Sequence, residues 1–136
     1  MVPGPVLVIE DDHDAREMLR AVLELNGHTV IVMADGVEGL ELLETARPQA
    51  AVIDIGLPGP TGHEIARRIR EHPGGRTMLL VALTGHGLPG DYQDSIAAGF
   101  DHHLVKPIDL SVLQDLLRSR GRAQHFEATL STVTNH

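Results

Sequence analysis

The chain has 136 residues, no cysteine and a formal net charge of −8 at pH 7. This length fits one folded domain, and the lack of cysteine excludes disulfides and zinc–thiolate sites. The acidic balance argues against a nucleic-acid-binding domain, and no apolar run reaches the ~20 residues of a membrane span. Because the N-terminus also lacks a signal-peptide pattern, we expect a cytoplasmic protein with no direct membrane insertion and no nucleic-acid partner.

Five short apolar runs predict five buried strands. The runs are continuous rather than alternating, which is typical of strands covered on both faces of a parallel sheet. The segments between them show the helical period, and this alternation of strand and helix predicts an α/β fold. The predicted strands cover roughly 5–9, 29–33, 50–54, 78–83 and 102–105, with helices over 14–26, 36–46, 91–98 and 109–119 and one more after Thr61.

Local patterns predict where the helices begin and which faces they bury. Asp35 and Glu38 have the spacing of a capping box, as do Thr61 and Glu64. Asp109 is the predicted N-cap of the last helix. The positions expected to face the sheet are Ala15, Met18, Leu19 and Val22 in the first helix and Val37, Leu40 and Leu43 in the second.

The last part of the chain differs in composition from the rest. Residues 121–136 carry scattered Thr, Ser, Asn and His with weak periodicity, and they are too few for another domain. We therefore predict one folded domain over 1–120, followed by a short frayed or disordered tail over 121–136.

Polar side chains follow four of the predicted strands at the points where the strands end. Glu10 and Asp11 follow the first strand, Asp54 the third, Thr84 the fourth and Lys106 the fifth. Ligands of open α/β sheets bind at the carboxyl ends of the strands, so one cleft is expected to hold all five groups. A single acid after a strand is as readily a helix N-cap, but the combination suits Mg²⁺ and a phosphoryl group, with Asp54 as nucleophile.

Four segments, in this order and spacing, resemble the receiver domain of two-component response regulators over roughly residues 5–119. The resemblance implies a flavodoxin-like (βα)5 fold, with five parallel strands in the order 2-1-3-4-5 and five flanking helices. The segments are 8–12 (VIEDD), 53–59 (IDIGLPG), 82–85 (ALTG) and 105–107 (VKP).

The same resemblance implies roles for the residues at the strand ends. Asp54 is implied to be the phosphoacceptor, with Thr84 and Lys106 contacting the phosphoryl oxygens. A cis peptide bond is implied before Pro107, in keeping with the rule that cis bonds belong to proline. The implied Mg²⁺ ligands are Glu10, Asp11, Asp54 and the backbone carbonyl of Gly56.

Partners and output are also implied by the resemblance. A histidine kinase or a histidine phosphotransfer protein of a phosphorelay would supply the phosphoryl group. Arrival of the phosphoryl group would change the conformation of the surface formed by the helix at 91–98, the last strand and the helix at 109–119. Such a domain promotes its own phosphorylation and dephosphorylation and has no separate turnover substrate. The sequences of segments 54–59 and 99–107 are similar to those of receiver modules in hybrid histidine kinases. The other interpretation is a free-standing single-domain regulator.

One position departs from the commonest family pattern. Receiver domains usually carry Tyr or Phe three residues before the strand-five lysine, and here that position is His103. In the family this residue moves inward together with the strand-four hydroxyl, so the implied switch pair is Thr84 and His103. A histidine buries less apolar area and can ionise near pH ~6.5.

Two other classes of function fit parts of the pattern. A haloacid-dehalogenase-like Mg²⁺-dependent phosphatase also uses a strand-end Asp, but it needs an acid two residues later, where this chain has Gly56. A phosphorylation-independent scaffold would have no need for an intact set of acids, hydroxyl and amine. The nine histidines lack metal-binding helix spacing, and we interpret His63 and His86, near the cleft in sequence, as loop residues.

Overall fold

Five parallel strands form one sheet at the centre of the fold. The computed structural model describes residues 4–85 and 90–123. The strands are β1 (Val6–Ile9), β2 (Val30–Met33), β3 (Ala50–Asp54), β4 (Leu79–Thr84) and β5 (His102–Val105). Their order in the sheet is β2-β1-β3-β4-β5 and all pairs are parallel, which confirms the predicted fold.

The described part of the chain contains six α-helices rather than the five predicted. The second predicted helix is two short ones, because the N–H of Leu42 donates to the carbonyl of Gly39 at 3.2 Å and interrupts the regular ladder. Glycine within a short helix weakens it, and both Gly36 and Gly39 lie in this segment. The helices are α1 (His13–Leu25), α2 (Gly36–Glu41), α3 (Leu43–Ala46), α4 (Gly62–Glu71), α5 (Asp91–Ala98) and α6 (Leu110–Ala123), with a 3₁₀ turn at Pro73–Gly75.

The helix starts follow the predicted capping residues. Thr61 and Glu64 form a complete capping box at the start of α4. The Asp35 carboxylate accepts the N–H of Glu38 at 3.0 Å. The predicted tail at 121–136 lies outside the described residues from 124 onward, and before that point α6 continues to Ala123.

The hydrophobic core lies on both faces of the sheet. Side chains of β1, β3 and β4 alternate between the two faces, so each strand contributes to two separate clusters. One cluster is covered by α2 to α5 and the other by α1 and α6. Representative buried residues are Leu7, Ile53, Ile65, Leu80 and Phe100 in the first cluster and Val8, Leu19, Leu23, Val52 and Leu113 in the second.

Two residues expected to face the sheet are exposed instead. Met18 is 52% exposed and Val37 is 49% exposed. In α1 the buried positions are Leu19 and Leu23, which are four residues apart and lie one above the other on the same side of the helix. Met18 precedes Leu19 by one residue and therefore lies on a neighbouring side of the helix. The apolar pattern thus predicted a wider buried face than the helix has.

Within the described residues, no helix combines the length and the apolar character that a membrane crossing requires.

Candidate functional site

The carboxyl edge of the sheet brings the predicted acids together. Ile9 in β1 pairs with Ile53 in β3, so Glu10 and Asp54, which follow them, are neighbours. Glu10 and Asp54 are buried, whereas Asp11 is exposed. One oxygen from each of the three carboxylates lies within 4.8 Å of the other two. That cluster can provide several oxygen ligands to one cation.

Lys106 bridges two of these acids. Its Nζ lies 3.1 Å from Oε1 of Glu10 and 3.1 Å from Oδ2 of Asp54. The backbone N–H of Lys106 donates to the carbonyl of Thr84 at 2.7 Å, and the Lys106–Pro107 peptide bond is cis. Lys106 is also the one lysine in the sequence. The cleft therefore contains an ammonium group fixed between the ends of β1 and β3.

The charges in this cluster divide unequally between Glu10 and Asp54. Burial, together with the hydrogen bond to Asp54, raises the pKa of Glu10 to about 7. Burial also opposes ionisation of Asp54, but hydrogen bonds from Glu10, the Gly56 N–H and Lys106 outweigh it and lower the Asp54 pKa. Burial acts in the same way against the charge on Lys106, yet the two carboxylates raise its pKa. These opposite directions favour protonation of Glu10 over protonation of Asp54.

The loop after β3 and the start of α4 contact Asp54. The N–H of Gly56 donates to Oδ1 of Asp54 at 2.8 Å. Gly62, the first residue of α4, packs so tightly that a Cβ there would lie 2.5 Å from the Cα of Ile55 and 2.8 Å from the Asp54 carbonyl oxygen. Its N–H donates to the carbonyl of Ile55 at 3.3 Å. The start of α4 is thus in direct contact with the backbone that carries Asp54.

Thr84 reaches the same edge from β4. Leu83 pairs with Asp54 in the sheet, and Thr84 is the next residue and is buried. His103 pairs with Ala82 on the other side of β4. The roles of Thr84 and His103 as a switch pair stay predictions, but Thr84 is positioned beside Asp54.

The predicted loop position of His63 is wrong. His63 is the second residue of α4, is partly buried, and its Nε2 lies 3.2 Å from Oγ of Ser95. Oγ of Ser95 also lies 2.8 Å from Nδ1 of His103. His86 lies outside the described residues. Ser95 has no sequence signal, because it is a small polar residue in a weakly apolar helix.

Sequence reasoning also missed Arg16. Its Nη1 donates to the backbone carbonyls of Glu10 at 2.9 Å and Asp11 at 3.3 Å, and its Nη2 lies 3.3 Å from Nδ1 of His13. The guanidinium group therefore ties α1 to the backbone of both acids. Its position one turn into the helix after the acids was the available signal.

Comparison with known proteins defines the class of this fold and site. The sequence profile described as "response regulator receiver domain" matches residues 6–118. The chain therefore belongs to the response regulator receiver domain family of two-component signalling systems.

Individual relatives agree with this assignment. The chain is 39% identical over 104 residues to an uncharacterised 14.6 kDa protein from Leptolyngbya boryana, covering 76% of this chain and 79% of that one. It is 35% identical over 122 residues to the response regulator MprA of Mycobacterium ulcerans, covering 90% of this chain and 52% of that one. The chain thus spans about half the length of the MprA regulators it matches.

A solved structure of a receiver domain has the same fold as this chain. The receiver domain of a sensor histidine kinase from Pseudomonas aeruginosa, which holds a magnesium ion in its active-site cleft, is 31% identical to this chain with a TM-score of 0.79. The alignment covers 88% of this chain and 99% of that domain.

Proposed function

We propose that this receiver domain accepts a phosphoryl group on Asp54 from a histidine kinase or a histidine phosphotransfer protein. The observation that carries the proposal is the contact of the Asp54 carboxylate, whose pKa is lowered, with Lys106, beside Glu10 and Asp11 at one edge of the sheet. A carboxylate held in this state can act as a nucleophile, and an ammonium beside it can receive the charge of the incoming group.

We propose Mg²⁺ as the cofactor of this site, because the residues present fit it. Three carboxylates converge within 4.8 Å, and the pKa of Glu10 is raised to about 7 even though Lys106 contacts it. One ammonium therefore does not offset the negative charge of the cluster. Glu10, Asp11, Asp54 and the carbonyl of Gly56 would hold the ion. When bound, Mg²⁺ would supply positive charge to the phosphoryl oxygens.

The side chains have distinct tasks in the proposed transfer. An oxygen of Asp54 forms a bond to phosphorus while the bond from phosphorus to the donor histidine nitrogen breaks. The electron pair stays on that nitrogen, which takes a proton from solvent. Lys106 then contacts a phosphoryl oxygen, and Thr84 donates its hydroxyl to another. Hydrolysis of the resulting acyl phosphate returns Asp54 to its resting state, so the domain has no separate turnover substrate.

We infer that the domain acts in a cytoplasmic phosphorelay and that its response is read on the surface of α5, β5 and α6. Either a hybrid histidine kinase or a single-domain regulator fits this role. The similarity to a receiver domain of a sensor histidine kinase supports the first setting. Sequencing the gene and its flanking regions distinguishes the two, since a kinase core in the same reading frame defines a hybrid protein.

Intact-mass spectrometry after incubation with acetyl phosphate and Mg²⁺ tests the proposed acceptor. The wild-type chain should gain one phosphoryl adduct, and Asp54→Ala should gain none. Asp115→Asn, which changes an exposed carboxylate in α6, is the matched control and should be labelled like the wild type. An adduct on Asp54→Ala, or no adduct on the wild type, would overturn the proposal. Sustained hydrolysis of an aryl phosphate that depends on Asp54 would instead support a phosphatase.

A further inference from the structure

Ser95 lies between two histidine rings that come from different elements. Its Oγ is 3.2 Å from Nε2 of His63 in α4 and 2.8 Å from Nδ1 of His103 in β5. The Ser95 residue in α5 is fully buried, at 0% exposure. These three side chains, here called the Ser95 chain, link the start of α4 to α5 and β5.

The two contacts of Ser95 limit the protonation states that the rings can adopt. A serine hydroxyl carries one proton and two lone pairs, so it can donate to at most one of the two rings and must accept an N–H from at least one of them. At least one of the two ring nitrogens that face Ser95 is therefore protonated. In a buried site, a polar group that loses its partner costs free energy, so the two roles are tied together.

The surroundings of His63 favour its neutral form. Burial lowers the pKa of His63, and Arg67 and His103 act in the same direction, whereas Asp94 and Asp91 act against them. The His63 ring also packs edge-on against Phe100, with ring centroids 6.2 Å apart.

The other end of the Ser95 chain meets the exposed surface. The His103 ring packs edge-on against the ring of Tyr92, with centroids 6.1 Å apart. Tyr92 is exposed on α5, as are Ile96 on the same helix and Val105 on β5. A change in the position of the His103 ring would therefore alter the exposed surface around Tyr92.

A backbone contact joins the Ser95 chain to Asp54. Gly62, the neighbour of His63, leaves no room for a Cβ against the backbone of Asp54 and Ile55. A shift of that backbone must therefore move the start of α4, and His63 with it. Because packed interiors transmit displacement rather than absorb it, the shift reaches Ser95 through a hydrogen bond.

We propose that Ser95 is a positioning residue that couples the phosphorylated state of Asp54 to the α5–β5 surface through His63 and His103. This inference rests on the proposed phosphorylation of Asp54. Because the Ser95 hydroxyl is hydrogen-bonded to both rings, a displacement of α4 changes the position or the hydrogen-bonding role of the His103 ring. Removal of the hydroxyl separates events at Asp54 from events at Tyr92 and Val105.

The test compares backbone amide NMR shifts before and after addition of beryllofluoride and Mg²⁺, which together mimic a phosphorylated carboxylate. In the wild type, shifts should change both around Asp54 and across 91–105. In Ser95→Ala, the changes around Asp54 should persist while those across 91–105 fall by at least about twofold. Ser119→Ala, which removes an exposed hydroxyl bonded within α6, is the matched control and should behave like the wild type.

The outcomes separate this inference from the proposed function. If beryllofluoride produces no changes around Asp54 in the wild type, the proposed function fails and this inference fails with it. If Ser95→Ala binds the mimic and transmits the changes at full size, the inference alone is overturned.

A second measurement needs no variant. Nitrogen-15 shifts of the wild-type rings should show a proton on at least one of the two nitrogens that face Ser95, with the pattern at His103 altered by beryllofluoride. Two unprotonated nitrogens facing Ser95, or a His103 ring that does not respond, would contradict the proposal even if Ser95→Ala fails to fold.

Discussion

Nζ of Lys106 lies 3.1 Å from Oε1 of Glu10, although 96 positions separate the two residues in the chain. The contact joins the segment after β5 to the end of β1 across the carboxyl edge of the sheet. Burial raises the pKa of Glu10 to about 7, whereas hydrogen bonds from Glu10, Gly56 and Lys106 lower the pKa of Asp54, so negative charge is favoured on Asp54 over Glu10. This division of charge leads to two predictions about pH.

The first prediction concerns Mg²⁺ affinity. The Glu10 pKa of about 7 means that the proton must leave before the carboxylate can bind a cation. Apparent Mg²⁺ affinity should therefore rise as pH passes from below 7 to above it, with a limiting slope of about tenfold per pH unit. Isothermal titration calorimetry in buffers of different ionisation enthalpy should detect the released proton. Glu10→Gln should bind more weakly and show a flatter profile, and an affinity of the wild type that is independent of pH would contradict the assignment.

The second prediction concerns stability without metal. Glu10 has a higher pKa in the folded chain than in the unfolded chain, so between about pH 4.5 and 7 the native state binds more protons. The contribution of Glu10 to the free energy of unfolding is thus fully present below this window and declines as pH rises through it. At pH 8, Glu10→Gln should be more stable than the wild type by on the order of 1–3 kcal/mol, and at pH 4.5 the difference should largely vanish. Urea unfolding at both pH values measures it; a difference that is equal at the two pH values would argue against this origin.

The third prediction concerns Arg16. Its guanidinium holds the backbone carbonyls of Glu10 and Asp11, so Arg16→Gln should loosen both acids and weaken Mg²⁺ binding several-fold. Arg20→Gln is the matched control, because Arg20 pairs with Glu17 on the surface of the same helix. Titration calorimetry gives the affinities and urea unfolding the stabilities. Equal losses of affinity in the two variants would show that Arg16 has no special role.

The fourth prediction concerns Arg70, which joins α4 to the segment before β5. Its Nε donates to the carbonyl of Gly99 and its Nη1 to the carbonyl of Met78, at 2.9 and 2.7 Å, while its Nη2 contacts Asp101 at 2.9 Å. The Asp101 carboxylate also accepts the N–H of Leu80 at 2.8 Å. Because these partly buried carbonyls lose their donors, Arg70→Met should lower the free energy of unfolding by about 2–4 kcal/mol.

Two further variants sharpen this fourth prediction. Arg70→Lys should recover only part of the loss, since an ammonium cannot reproduce the planar set of donors. Arg68→Met changes an exposed residue of the same helix and should cost less than about 0.5 kcal/mol. Urea unfolding of the three variants side by side decides the point, and similar costs for the Arg70→Met and Arg68→Met changes would refute it.

The sequence predicted the parts of this molecule that depend on local patterns. Each apolar run gave a strand, and the polar residue after it gave a position at the sheet edge, which is why Glu10, Asp54 and Lys106 could be expected in one cleft. The direction of each strand fixes these positions without knowledge of the packing. The helix that broke at Leu42 lay beyond this reasoning, because the break depends on glycines and on contacts with β1.

The contacts that sequence reasoning missed join polar residues far apart in the chain. Ser95 and His63 are 32 positions apart, and neither belongs to a periodic pattern. Arg16 acts on backbone carbonyls, which every residue possesses, so its position one turn into the helix after the acids is the one signal that the sequence offers. Such contacts appear only when the helices have been placed around the sheet.

Lys106, the one lysine in the sequence, also makes the charge state of this cleft accessible to chemical modification. The Lys106 side chain is 34% exposed, so an amine-reactive acylating reagent can reach it and has no other ε-amino group to modify in the chain. The raised pKa keeps the group protonated, and acylation requires the neutral amine, so modification should be slow in the resting protein and should quicken when Asp54 is neutralised by substitution. The rate at which peptide mapping finds acylated Lys106 would therefore report how often the ion pair is broken, without any label being introduced by mutation.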